Sequence, residues 1–201
     1  MLVTAVLWIL GILAAIVVVS RLHSKLAPSA FPPWMTPILA WPWRSRDRIL
    51  KRAGLRAGER TLEIGPGAGW ISEAAVEKLA PTGRLVCLDV QMQMLRKVRA
   101  RLGARTPGLV QASGSRLPFR DGAFDRAFLI HVLGEIPDKP AAVAELHRVI
   151  KPGGELAVEE GLPDPDYIRT PVLRALVAAA GFRAGERFGG WADYTQRFTR
   201  P

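Results

Sequence analysis

A single cysteine, Cys87, is all that this 201-residue chain offers. It cannot close an internal disulfide, and no CxxC pair exists for zinc or thiol redox chemistry. A disulfide-stapled secreted module is therefore excluded, and a reducing compartment is implied. Acidic residues are scarce as well, 18 against 28 Lys plus Arg, for a formal net charge of +10. Such an excess first suggests a nucleic-acid binder, but its placement argues otherwise. Between Arg21 and Arg60 stand nine basic residues and only Asp47 and Glu59 as acids, whereas beyond position 60 there are 19 basic against 16 acidic residues. No phosphate-tracking surface follows, and no nucleic-acid partner is expected. Internal repeats and low-complexity tracts are also absent. With 49% apolar and 23% charged residues the chain is too rich in core-forming side chains to stay disordered. Its length allows one domain and an appendage.

The appendage comes first. Residues 2–19, LVTAVLWILGILAAIVVV, carry no charge, and a helix of that length rises about 27 Å, near the hydrocarbon thickness of a bilayer. A retained transmembrane helix over 1–20 is the expectation. A cleaved signal peptide is the competing reading; against it stand the missing basic n-region, the length of the apolar run and RLHSK where a cleavage site would fall. Basic residues follow the run and none precedes it, so the expected location is a single-pass membrane protein with its catalytic domain cytoplasmic. Residues 21–43 hold five prolines together with Trp34, Trp41 and Trp43. They suit a juxtamembrane shoulder or, equally, a proline-rich linker whose indoles pack on the domain.

From Arg44 the pattern changes to a domain spanning 44–201. RSRDRILKRAGL reads as a basic amphipathic helix ending at Gly54. Strands RTLEI, RLVCLDV, GLVQAS, FDRAFLI and GELAVEE then alternate with helices at Trp70 to Leu79, QMQMLRKVRARL and PAAVAELHRVIK, the last stopped by Pro152, Gly153 and Gly154. A helix from about Asp166 to Ala180 and two strands joined through GGWAD, near 182–188 and 194–199, complete the chain. Strand and helix alternation means an α/β fold: a doubly wound, mostly parallel seven-stranded sheet covered on both faces. The last two strands have no helix between them and predict an antiparallel hairpin at the edge.

In such sheets ligands bind beyond the carboxyl ends of the strands, where strand order reverses. TLEIGPGAGW sits at the end of the first strand. Gly65, Gly67 and Gly69 let the backbone turn sharply and approach a ligand, and the next helix offers unpaired amides and a positive dipole end. A dinucleotide fingerprint would need a third glycine at the position that Trp70 occupies, which disfavours nicotinamide cofactors. The pattern E-x-G-x-G-x-G, with its acid at Glu63, resembles motif I of class I S-adenosylmethionine-dependent methyltransferases. Asp89 ends the second strand where that family places a ribose-binding acid, LDVQMQML is similar to the segment there, and SRLPFRDGAFDRAF and HRVIKPGGELAV resemble the stretches before strands four and five. The resemblance covers about Arg44 to Arg200 and is nearest to quinone- and lipid-modifying members.

It implies S-adenosyl-L-methionine as cofactor, with Gly65, Gly67 and Gly69 along the methionine moiety, Glu63 supporting the loop, Asp89 and the neighbouring Val90 at the ribose, and Ser113 with Gly114 beside the adenine. Ser113 departs from the Asp that relatives often carry, so its bond to the base lacks charge assistance. Asp89 also has a bland reading, as a cap for the next helix. Cys87 and Met94 read as core, with contact to the adenine as the alternative for Met94.

Methyl transfer from a sulfonium is an in-line displacement, so the enzyme chiefly positions the nucleophile. His131, closing FDRAFLIH, is the candidate general base; the alternative is a histidine that orders the rim. Glu135, Glu159, Glu160 and Tyr167 are further rim candidates, whereas His147 reads as structural and no metal site is expected. An Asn/Asp-Pro-Pro-Tyr motif for planar amines is replaced by IHVLGE. The expected acceptor is apolar, lipid-like or a small molecule at a membrane face. A soluble acceptor, or a non-catalytic scaffold of the same fold, are the rivals, and the oligomeric state is open.

Overall fold

The computed structural model describes residues 45–162 and 164–201, together with Trp8 and Gly11. Helix α1, Arg46–Ala53, starts where the Ser45 hydroxyl accepts the Arg48 amide N–H and stops at Gly54 in the left-handed region, φ 74°. Asp47 in its first turn and Lys51 and Arg52 in its last complement the helix dipole. Strands β1 Arg60–Ile64, β2 Arg84–Asp89, β3 Gly108–Gln111, β4 Phe124–Ile130, β5 Ile150–Gly161, β6 Arg183–Gly189 and β7 Asp193–Thr199 alternate with α2 Trp70–Leu79, α3 Met92–Leu102, α4 Lys139–Val149 and α5 Thr170–Ala179.

The strands form one seven-stranded sheet in the order β3-β2-β1-β4-β5-β7-β6. The first five are parallel; β7 runs antiparallel to β5 and pairs with β6, giving the expected hairpin, with β6 as the outer strand. One face is covered by α4 and α5 over Leu62, Phe124, Leu129, Leu146, Val149 and Leu173; the other by α1, α2 and α3 over Leu50, Ala75, Leu79, Cys87, Val98 and Phe128. Both faces are buried, which is why four of the five β1 residues and five of the seven β4 residues are buried.

Two boundaries differ from the sequence expectation. Pro152, Gly153 and Gly154 do not sit between a helix and a strand but lie inside β5, because Ile150 already pairs with Phe124. The register shifts between Phe124 and Arg126, and the extra residues form a bulge at this end of the sheet. The helix expected from Asp166 begins instead at Thr170 with Pro171 in its first turn. Upstream, Asp164 Oδ1 accepts the Asp166 amide and Glu160 Oε2 accepts that of Ile168, so those amides are spent on a turn.

At the amino end of β4 the buried Arg126 guanidinium donates to both Glu59 oxygens (2.9 and 3.1 Å), to Glu155 and to the Ala53 carbonyl (3.1 Å). This network ties α1, β1 and β5 together at the end of the sheet remote from the glycine turn.

The expected single-pass membrane location is corrected: no helix among the described residues is long and apolar enough to cross a membrane. The run 2–19 on which that expectation rested lies, apart from Trp8 and Gly11, outside the described residues, as does the segment 21–43.

Candidate active site

Strand order reverses between the neighbours β1 and β4, since the chain leaving β1 continues to β2 on one side and that leaving β4 to β5 on the other. Above them opens a cleft of about 820 Å³, within the roughly 300–1,000 Å³ common for small-molecule sites. It gathers Glu63, Gly65, Gly67, Asp89, Val90, Ser113, Gly114 and His131 from four separate segments. Gly69 is not on its wall. It adopts φ 79° ahead of α2, and a Cβ there would stand 3.2 Å from the Val98 Cα, so its smallness serves the approach of α2 to α3.

The turn itself shows two different uses of glycine. Gly65 has φ 70°, and a Cβ there would overlap the Val132 side chain, with Cγ1 at 2.8 Å. Gly67 has φ 54° and nothing within 4 Å of a built Cβ, so its missing side chain leaves open cleft. A backbone cradle of this kind suits a bulky ligand close to the chain.

Beneath it, Glu63 is buried on β1; its Oε2 accepts hydrogen bonds from Ser72 Oγ (2.6 Å) and Cys87 Sγ (3.3 Å). Burial pushes its carboxyl up to about 7, despite the opposing Ser72 bond. Cys87 is thus core, as expected, with a thiol raised by burial and by Glu63. Asp89 ends β2 with one oxygen, Oδ1, accepting the Gln91 amide at 2.8 Å. That contact is the local-turn reading of Asp89, yet the same carboxyl lines the cleft, and burial raises its pKa. Ser113 and Ser115 hydroxyls lie 2.9 Å apart beside Gly114. Met94 is buried and also reaches the cleft wall.

At the far end stands His131. It is the one non-glycine residue with positive φ, 55°, among those described, and such strain clusters at functional positions. Its amide donates to the Glu159 carbonyl at 2.9 Å, and its Nδ1 lies 3.5 Å from Asp164 Oδ2. Of the other rim candidates, Glu135 and Glu159 line the cleft, Glu159 also accepting from the Thr195 hydroxyl. Glu160 and Tyr167 are not on its wall; Glu160 is fully buried and pushed up to about 8 by burial and by the Asp164 charge. His147 packs edge-on against Phe182, ring centroids 5.0 Å apart, away from the site.

Sequence reasoning missed Asp164, Arg48, Arg52, Arg101 and Asp193. Arg52 donates to Asp193 Oδ2 at 3.1 Å across 141 positions, and Arg101 Nε to the Ala68 carbonyl at 2.9 Å. The basic face of α1 was visible in the sequence; that it points Arg48 and Arg52 into the cleft was not.

A parallel α/β sheet with a glycine cradle after β1, an acid closing β2 and a large cleft between is the architecture shared with solved S-adenosylmethionine-dependent methyltransferases. Residues 62–158 match the family described as Methyltransferase domain. Ubiquinone/menaquinone biosynthesis C-methyltransferase UbiE of Cupriavidus necator is 37% identical over 114 residues, 55% of this chain and 46% of that protein. The chain spans about half the length of the curated relatives it matches. Among solved structures, a SAM-dependent methyltransferase from Aquifex aeolicus superposes with a TM-score of 0.75 at 22% identity, covering 85% of this chain and 100% of that one. The [4+2]-cyclase SpnF shares the fold too, with a TM-score of 0.62 at 24% identity over 71% of this chain and 57% of that one. The fold alone therefore does not fix the reaction.

Proposed function

We propose that the enzyme methylates a ring carbon of a quinone-like, lipid-like acceptor. The observation that carries this reading is the 37% identity over 114 residues to a quinone C-methyltransferase. S-adenosylmethionine supplies an electrophilic methyl group. Gly65 and Gly67 form the cradle for its methionine portion, Asp89 and Val90 meet the ribose, Ser113 and Gly114 flank the adenine, and Glu63 holds the loop from below.

A hydroxyl on the acceptor ring must lose its proton for the neighbouring carbon to become nucleophilic. His131 is placed for that task. The Asp164 carboxylate beside Nδ1 favours the tautomer with its proton there, leaving Nε2 to accept. Methyl transfer then forms one carbon–carbon bond as the carbon–sulfur bond breaks, its electron pair staying on sulfur, and loss of the ring proton restores aromaticity. Val132, Ile136 and Leu162 give the wall an apolar part against which a ring can lie.

One observation favours a second reading. Glu135, Glu159, Asp164 and Asp193 all face the reacting end, a set that would also suit a cationic amine. Full-length protein given isotopically labelled S-adenosylmethionine with a demethylated quinol or with a primary amine separates the two. Label in a ring methyl group is expected, and His131→Gln should lower kcat by about 10²–10⁴-fold while leaving cofactor affinity unchanged. Labelled amine with an inert quinol would overturn the ring-carbon reading.

A further inference from the structure

Two large apolar side chains are exposed beside the reacting end. Leu162, which follows β5, is 49% exposed and lines the cleft, and Trp191, in the β6–β7 turn, is 77% exposed. They are neighbours in space: the Leu162 amide donates to the Ala192 carbonyl at 2.8 Å, and Gly161 is in register with Asp193.

The turn that carries Trp191 is braced. Arg187 donates to the carbonyls of Gly189 (3.0 Å) and Gly190 (2.6 Å) and to the Thr170 hydroxyl (3.3 Å); the Tyr167 hydroxyl donates to the Trp191 carbonyl; and the Gly190 amide donates to the Asp193 carbonyl at 2.9 Å. These bonds hold the backbone of the turn, on which the Trp191 side chain stands exposed. It also continues the reaction centre. A Cβ on Gly161 would stand 3.0 Å from His131 Cε1, so the histidine ring rests on the residue just before Leu162. The line from His131 over Gly161 and Leu162 to Trp191 is short at its polar start, where Arg52 and Asp193 pair, and apolar at its outer end.

We propose that Leu162 and Trp191 form an exit ramp for the hydrocarbon tail of the acceptor, whose ring lies against His131. The proposal rests on the quinone-like reading above and adds a tail-binding subsite to it. Aliphatic contact with an indole and a leucine removes apolar area from water on both partners, whereas a tail-less ring gains nothing from the indole.

The test is steady-state kinetics of the full-length protein with two quinols that share one ring, one bearing a ten-carbon isoprenoid tail and one bearing none. The wild type should prefer the tailed quinol by about tenfold or more in kcat/KM, the yield of burying a few methylenes. Trp191→Ala should cut that preference to about threefold or less with kcat/KM for the tail-less quinol unchanged, and Trp191→Phe should keep most of it. Equal preference in the wild type and Trp191→Ala would overturn the ramp while leaving the ring-carbon reading intact. Equal losses on both quinols would mark Trp191 as structural and overturn it as well. If neither quinol is methylated while an amine is, the ring reading fails and the ramp with it. If sedimentation shows a dimer that Trp191→Ala dissolves, the patch joins two copies and the ramp is overturned.

Discussion

Replacing Glu160 by Gln should make the protein more stable, and increasingly so as pH rises. Glu160 is fully buried on β5; its Oε2 accepts the Ile168 amide, and its Oε1 has no hydrogen-bond partner. Asp164 and Glu135 add repulsion, Lys139 opposes it, and burial dominates, lifting the carboxyl from 4.5 to about 8. A native pKa above the unfolded one favours folding fully below the unfolded value, and that advantage is lost as pH rises through the native value. At about 1.4 kcal/mol per unit the ceiling is about 4–5 kcal/mol, and relaxation around a buried charge brings the working figure to about 2–4 kcal/mol. An amide at this position does not titrate. Urea unfolding of both proteins at pH 5, 7 and 9 should therefore show a stability difference, variant minus wild type, that grows by that amount. Glu63 also loses stability as pH rises, between about 4.5 and 7, but it does so in both proteins and cancels from the difference. A difference that stays constant across the three pH values would refute the buried-charge reasoning.

Other substitutions probe the cradle and its foundation. Asp89→Ala should weaken S-adenosylmethionine binding by about 1.5–3 kcal/mol, the range for a hydrogen bond to a charged group, and calorimetry reads this directly; unchanged affinity would remove Asp89 from the site. Gly65→Ala should lower the melting temperature more than Gly67→Ala, since only the first drives a Cβ into Val132 while both incur the positive-φ strain of about 1 kcal/mol. Gly67→Ala should instead show its defect in cofactor affinity, and a reversed order in paired melting and binding curves would contradict the assignment. Arg126→Met should destabilise the fold by about 3–5 kcal/mol, because Glu59 and Glu155 lose the guanidinium that compensates them; denaturant titration measures it, and a loss below about 1 kcal/mol would mean water already screens the pair.

What the sequence made legible was local. The Gly54 stop of α1, the glycine turn after RTLEI and the acid that closes RLVCLD each depend on neighbours within a few positions. These devices yielded the sheet, the hairpin and eight of the nine cofactor and base candidates on one wall. What stayed hidden depends on distant pairing. Pro152 to Gly154 look like a break in any window, yet β4 draws them into a bulged strand through Ile150 and Glu155. The start of α5 moved to Thr170 because Glu160, eight positions upstream of Ile168, takes an amide that would otherwise begin the helix. Gly69 read as a ligand-facing glycine because the motif carries no sign of where α3 packs. Asp164 stands among prolines in a turn whose sequence says nothing of His131, 33 positions earlier, and only the adjacency of β4 and β5 brings the two side chains together.

The pairing of β1 with β2 likewise brings two buried carboxyls to the cradle. Glu63 sits under the cradle and Asp89 on its rim, both raised chiefly by desolvation. In an apo cleft an ionised pair there would be costly. A sulfonium ligand reverses the balance, since an opposite charge in a low-dielectric site favours the carboxylate form. Binding and ionisation are then linked, each promoting the other by the same free energy. The link also has a direction in the reaction: once the methyl group has left, the ligand is a neutral thioether and the extra stabilisation of the ionised carboxyls disappears. An enzyme that had placed fully solvated acids around the cradle would hold substrate and product with nearly equal strength. On the reading proposed above, buried ones let the charge of the sulfur be felt, and the cost that Glu63 imposes on the fold becomes the term that discriminates the charged donor from its spent form.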